Sequence, residues 1–154
     1  MDLIRPEWPA PVNVQAVFTT RQGGVSQGVY QGLNLGLHVA DDPALVMQNR
    51  QLLTQQLALP AAPIWLEQVH GTEIFNAAAP CAIPPQADAA VTTTTGLPLT
   101  VMTADCLPVL FCDKAGTVVA TAHAGWRGLC AGVLEKTIAA MPVAPDEILA
   151  WIGP

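Results

Sequence analysis

Residues 87–124 read ADAAVTTTTGLPLTVMTADCLPVLFCDKAGTVVATAHA, and this stretch decides the fold class. It holds runs rich in Val, Thr and Leu at residues 87–94, 97–103, 108–112 and 117–122. β-Branched residues suit a pleated, half-buried surface, so each run is predicted to be a strand. Turn signals separate them, notably Thr95-Gly96 and Asp113-Lys114-Ala115-Gly116. Gly125-Trp126-Arg127-Gly128 then breaks the pattern, residues 129–141 suit one helix, and residues 147–152 return to a strand. Consecutive strands followed by a helix favour α+β over a regular βαβ alternation.

Upstream, residues 14–20 (VQAVFTT) read as a strand entering the glycine turn Arg21-Gln22-Gly23-Gly24-Val25-Ser26. Residues 27–40 are loop-like, with spaced glycines. Asp42-Pro43 then opens a helix, Asp as cap and Pro at the first helical position, with Leu45, Val46, Leu52, Leu53 and Leu57 as its apolar positions. Pro60 ends it, and residues 64–69 read as a strand that stops at His70-Gly71. The chain stops at Trp151-Ile152-Gly153-Pro154, just behind a strand. Gly-Pro in that place ordinarily leads onward, so the sequence is expected to be a fragment.

The length, 154 residues, fits a single domain, residues 1–154. Half of the chain is hydrophobic (51%) and 12% is charged, which allows a core and argues against disorder. The formal net charge of −6, with no Lys/Arg cluster, argues against a nucleic-acid binder. The N-terminus does not read as a signal peptide, and no apolar run reaches the roughly 18 residues of a membrane span. The expected location is therefore cytoplasmic, where Cys81, Cys106, Cys112 and Cys130 default to thiols or ligands.

The chemically capable residues fall at strand ends. The chain's three histidines are His38, His70 and His123; His70 and His123 each follow a predicted strand and lie close to a glycine. Cys106 sits at the junction of two predicted strands. Convergence of His70, Cys106 and His123 would supply N, N and S ligands and leave a fourth position open, the mark of a catalytic zinc. The blander reading is a buried thiol and two hydrogen-bonded imidazoles, because no short ligand spacing ties the three together. Cys112 and Cys130 lie inside element patterns that suit core packing.

Three stretches resemble the signatures of the YfiH-type family: Gln68-Val69-His70-Gly71, residues 103–109 (TADCLPV) and residues 122–128 (AHAGWRG). Residues 20–26 (TRQGGVS) and 34–38 (NLGLH) are similar to its N-terminal stretches. The family was long labelled polyphenol oxidase or laccase-domain and is since recognised as purine nucleoside phosphorylases. The resemblance spans nearly the whole chain, although family members continue past Pro154 with a further motif. It implies a mixed-sheet α+β sandwich with helices outside, related to the deamidating domain of a bacterial toxin (cytotoxic-necrotizing-factor-like). It also implies zinc on His70, Cys106 and His123, with copper as the alternative metal. The implied reaction is phosphorolysis of adenosine, inosine, guanosine and methylthioadenosine to base and ribose 1-phosphate, with adenosine deamination on the side.

Phosphate needs a cation, and Arg21 and Arg127 are the candidates because each is expected in a glycine-flanked turn. Asp105 could orient a ligand or carry a proton, with turn capping as its ordinary role. Asn34 and His38 are candidate nucleoside contacts, with loop hydrogen bonding as the plainer job, and Gln68 is weaker still. One alternative is a copper-dependent polyphenol oxidase, with Met102 completing a blue-copper-like set; three histidines are too few for a multicopper cluster. Another is a Cys106/His123 amide hydrolase acting on cell-wall precursors. The non-enzymatic alternative is a binding module with a structural zinc, its fourth ligand being Cys81, Cys112 or Cys130. The expected partners are small molecules, without nucleic acid or membrane.

Overall fold

The computed structural model describes all 154 residues, which divide into two compact units. The first comprises Met1–Pro6 with Val17–Leu59, and the second Glu7–Ala16 with Pro60–Pro154.

In the first unit, the strand expected over residues 14–20 narrows to β2 (Phe18–Thr19), paired antiparallel with β1 (Leu3–Ile4). The pairing is short because Arg5-Pro6 follows β1, and proline has no N–H to extend a ladder. α1 (Pro43–Gln56) starts as expected: Ala44 N–H donates to Asp42 Oδ1 at 2.8 Å, and Pro43 needs no partner. Its inward face is Val46, Asn49 and Leu53, at helical spacing. Asn49 is fully buried and holds the glycine loop in place. Its Oδ1 accepts Val25 N–H at 2.8 Å, while Nδ2 reaches Ser26 Oγ at 2.9 Å and Asn34 O at 2.9 Å.

The second unit is built on a mixed sheet of five strands, order β3-β4-β6-β5-β7. The strands are β3 (Ile74–Asn76), β4 (Ala89–Thr92), β5 (Leu107–Asp113), β6 (Val119–Ala124) and β7 (Ile148–Ile152). β3 runs parallel to β4 and every other pairing is antiparallel. With its helices this gives the α+β class expected. β3 was not foreseen. Residues 64–69 and 97–103 are not ladder strands; a single bridge, Ile64 with Leu99, joins them to each other, and another joins Glu67 to Gln86. Pro63, Pro85 and Pro98 flank those bridges and withhold the donors that a longer ladder needs.

The helix expected over residues 129–141 is two helices, α2 (Trp126–Ala131) and α3 (Val133–Ala140). Gly132 parts them at φ +92°, its N–H closing onto Gly128 O and Leu129 O. The break comes from a glycine in the left-handed region, where a helix ends rather than continues. Alternation along β4 then sets two cores. Ala89 and Val91 join Val109, Phe111, Ala120, Ala122 and Val133 of α3 on one face. Ala90 joins Ile64, Leu66, Ala87 and Leu97 on the other. No helix is long and apolar enough to cross a membrane.

Candidate metal centre

β6 alternates Ala120, Ala122 and Ala124 into the first core, which turns His123 to the opposite face. There it meets the ends of two other segments. His70 follows the bridged segment 64–69, and Cys106 immediately precedes β5. The ligand atoms of His70, Cys106 and His123 all lie within 4.8 Å of one another. The imidazoles stand edge to face, ring centroids 4.7 Å apart. His123 is buried, Cys106 half-buried and His70 exposed, so the group is anchored on one side and open on the other.

Two backbone features bring the donors this close. Gly125 leaves room for the donors, because a Cβ there would stand 2.9 Å from Cys106 Sγ and 3.0 Å from His70 Cδ2. His70 itself takes φ +60°, a conformation uncommon for a side-chain-bearing residue. The residue that holds it was missed in the sequence: Asp88, wholly buried immediately before β4. Its Oδ1 accepts the His70 N–H at 2.8 Å and lies 2.8 Å from His123 Nδ1. Its Oδ2 accepts the N–H groups of Gly71 at 2.7 Å and Val69 at 3.1 Å. Burial pushes the Asp88 carboxyl up, but His123 and these peptide donors outweigh it and hold it below the ordinary Asp value. A lone acid inside the apolar run 87–91 was the available signal.

Asp105 is exposed, its Oδ1 3.7 Å from Cys106 Sγ. Burial first, and the Asp105 charge second, raise the Cys106 thiol above its ordinary value. Arg127 is not in a turn, as the sequence suggested, but in the first turn of α2, because the helix begins at Trp126. Its guanidinium lies 5.2 Å from the centroid of the Trp126 ring. Together His70, Asp105, Cys106, Leu107, Trp126, Arg127 and Leu129 line a cleft of about 480 Å³. Trp126 is 72% exposed, so its indole face is available there. Gln68 brackets Met102 with paired bonds, Nε2 to its carbonyl at 2.8 Å and Oε1 from its N–H at 2.7 Å. That is a framework role.

The other candidates lie in the first unit. Arg21 donates through Nε and a terminal nitrogen to Gln31 O at 3.2 and 2.8 Å. Asn34 spends its amide on Asp41 Oδ2 at 2.8 Å and Gly36 N–H at 3.1 Å. His38 is exposed, its ring over Gly36. Among the other cysteines, Cys112 is buried as expected, whereas Cys130 is exposed. α2 turns Gly128 inward, where a Cβ would come within 2.9 Å of Gly71 O, and this leaves Cys130 facing outward.

The fold and the trio together define a three-donor site on the rim of a mixed sheet. Residues 15–154 match the family described as multi-copper polyphenol oxidoreductase laccase, and the chain belongs to that family. It is 53% identical over 152 residues to purine nucleoside phosphorylase YfiH of Escherichia coli K12, covering 99% of this chain and 63% of that protein. It is 52% identical over 151 residues to a purine nucleoside phosphorylase of Pseudomonas aeruginosa, covering 98% of this chain and 61% of that one. The crystal structure of Neisseria meningitidis protein NMB0706 superposes with a TM-score of 0.94 at 55% identity, over 100% of this chain and 63% of that one. The chain thus spans less than two thirds of the length of each.

Proposed function

We propose that this chain carries the centre of a zinc-dependent purine nucleoside phosphorylase. Its substrates would be adenosine, inosine, guanosine and methylthioadenosine with inorganic phosphate, and adenosine deamination its side activity. The observation that carries the reading is the His70–Cys106–His123 group, two of whose donors, His70 and Cys106, line a cleft together with Arg127 and Trp126, while His123 lies buried behind them. The donor set fits zinc: two imidazoles and a thiol, with no other cysteine in the group, and His123 left to offer Nε2 because Nδ1 faces Asp88. The family description favours copper as the alternative, and a soft N, N, S set would accept either.

When bound, the metal would act as a Lewis acid toward an oxygen of the substrate or of water. The chain's own residues would do the rest. Arg127 offers a planar fork of N–H donors that matches phosphate oxygens two at a time. The Trp126 face, with Leu107 and Leu129 beside it, would stack the purine and keep water from it. Asp105, exposed beside Cys106, could carry a proton to the departing base. For Arg21, Asn34 and His38 as substrate contacts, the support is the motif resemblance. The relatives' names support the activity, and a cytoplasmic location would suit it.

The test is phosphate-dependent release of adenine from adenosine by zinc-loaded protein, with Cys106→Ala as control. The reading expects release that requires phosphate and is lost in the variant. Release equal with and without phosphate, or undiminished by the variant, would refute it. A second reading is favoured by one observation: Cys106, His123 and Asp88 stand in the order nucleophile, base and orienting carboxylate. That arrangement fits a cysteine amide hydrolase, which would keep full activity after chelation, whereas the phosphorylase would lose it.

A further inference from the structure

We propose that Asp88 is the positioning residue for both histidines of the trio, fixing the tautomer of one and the backbone of the other through a single carboxylate. The proposal takes the trio to be a metal site; whether that site acts on nucleosides does not enter.

Four hydrogen-bonding groups converge on the buried Asp88 side chain: the N–H groups of Val69, His70 and Gly71, and Nδ1 of His123. The three peptide groups can only donate. Oδ1, shared by His70 N–H and His123 Nδ1, is a pure acceptor when ionised, so Nδ1 carries the proton and the Nε2 lone pair is left for a metal. The peptide donors, in turn, come from the three consecutive residues that place His70 at φ +60°. The main chain adds a further tie, since the His123 N–H donates to Asp88 O at 2.7 Å. One carboxylate therefore joins a ligand on β6 to a ligand on the segment after residue 69.

Asparagine has nearly the same shape but one half of it donates. If its NH₂ faces Val69 and Gly71, donors oppose donors and the His70 segment keeps only the bond from His70 N–H. If the amide turns over, NH₂ faces His123, which can accept only by moving its proton to Nε2, and the ligating lone pair is lost. Either orientation weakens the site. Loss of such an outer carboxylate ordinarily lowers metal affinity about 10–100-fold.

The experiment has two arms. Long-range ¹H–¹⁵N correlation on metal-free wild-type protein should show His123 protonated at Nδ1; protonation at Nε2 would overturn the proposal. Zinc affinity, measured by competition with a chromogenic chelator, should fall about 10–100-fold in Asp88→Asn. In a His123→Ala background the same change should cost less, because only the His70 part remains. Wild-type affinity in Asp88→Asn, or an equal loss in both backgrounds, also overturns it. If Asp88→Asn does not fold, the wild-type tautomer decides alone. A wild type without zinc affinity removes the metal reading and this proposal together. Tight zinc, Nδ1–H and no phosphorolysis leave the proposal standing and remove only the phosphorylase.

Discussion

Gly125 shows how narrow the tolerances of the metal centre are. Its φ of −67° is open to any residue, so backbone strain is not what excludes a side chain. The exclusion is spatial, because an added methyl would lie 2.9 Å from Cys106 Sγ and 3.0 Å from His70 Cδ2. Gly125→Ala is therefore expected to separate the two donors, lowering zinc affinity on the order of tenfold, with an overpacking cost of about 1–3 kcal/mol in stability. Chelator competition and urea unfolding measure the two effects, and unchanged affinity would show that the site relaxes around the methyl. His70, His123 and Cys106 were legible chiefly through the motif resemblance, because the strand-end pattern alone left a buried thiol and two hydrogen-bonded imidazoles open, and His123 in fact lies within β6. Asp88 was not, since a single carboxylate in an apolar run looks like any strand-end acid until three peptides and an imidazole are seen to meet on it. Arg127 was legible as a residue but not as a position: two flanking glycines suggested a turn, and the helix starts in spite of them.

The elements carry their own tests. Gly132 ends α2 and starts α3 at φ +92° and ψ +33°, with Glu135 Oε2 3.5 Å from where a Cβ would sit. Space is ordinary there and conformation is not. Gly132→Ala should thus cost about 1–2 kcal/mol from the left-handed backbone alone, read in urea unfolding. No loss would mean that α2 and α3 can merge into one helix. On β6, Thr121 is buried and its hydroxyl has no hydrogen-bond partner. Valine has the same outline without the hydroxyl, so Thr121→Val should raise stability by about 1 kcal/mol, and a lower melting temperature would contradict this. The runs that became β4, β5 and β6 were readable, because strands paired on both sides and buried give a continuous apolar pattern. The bridged segments 64–69 and 97–103 are apolar too, but prolines flank their bridges. Composition records the apolar residues; the missing N–H groups decide the ladder. β3 escaped notice because a three-residue strand has too few residues for alternation to show.

The stability of the whole chain should form a dome in pH, with named groups contributing to each arm. On the acid side, burial pushes the Asp113 carboxyl up, but donation from Val118 N–H and from Thr117 N–H and Oγ1 outweighs it, and the carboxyl is held below 3.8. Asp41 in the first unit is lowered too, chiefly by Ser26 Oγ and Asn34 Nδ2. A depressed carboxyl contributes stability that is present above its unfolded value and lost as pH falls through the folded one. The acid arm therefore begins near 3.8 and runs downward. On the alkaline side, burial and then the Asp113 charge push the Cys112 thiol from 9.0 up to about 11. A raised thiol contributes stability that is complete below 9.0 and lost between there and about 11, because the unfolded chain ionises first. One proton sets a slope of at most about 1.4 kcal/mol per pH unit. Asp113→Asn keeps Oδ1 for the two peptide donors and offers NH₂ to Thr117 Oγ1, so it should make the acid arm shallower without collapsing the turn, Asp41 and Asp88 supplying the slope that remains. Cys112→Val should make the alkaline arm shallower and leave the acid arm unchanged, the raised Cys106 thiol keeping part of the alkaline slope. Urea midpoints between pH 2.5 and 11 follow both arms. If Cys112→Val loses stability above pH 9 as steeply as the wild type, the alkaline arm belongs to other groups, because the buried thiol is the titrating group that substitution removes.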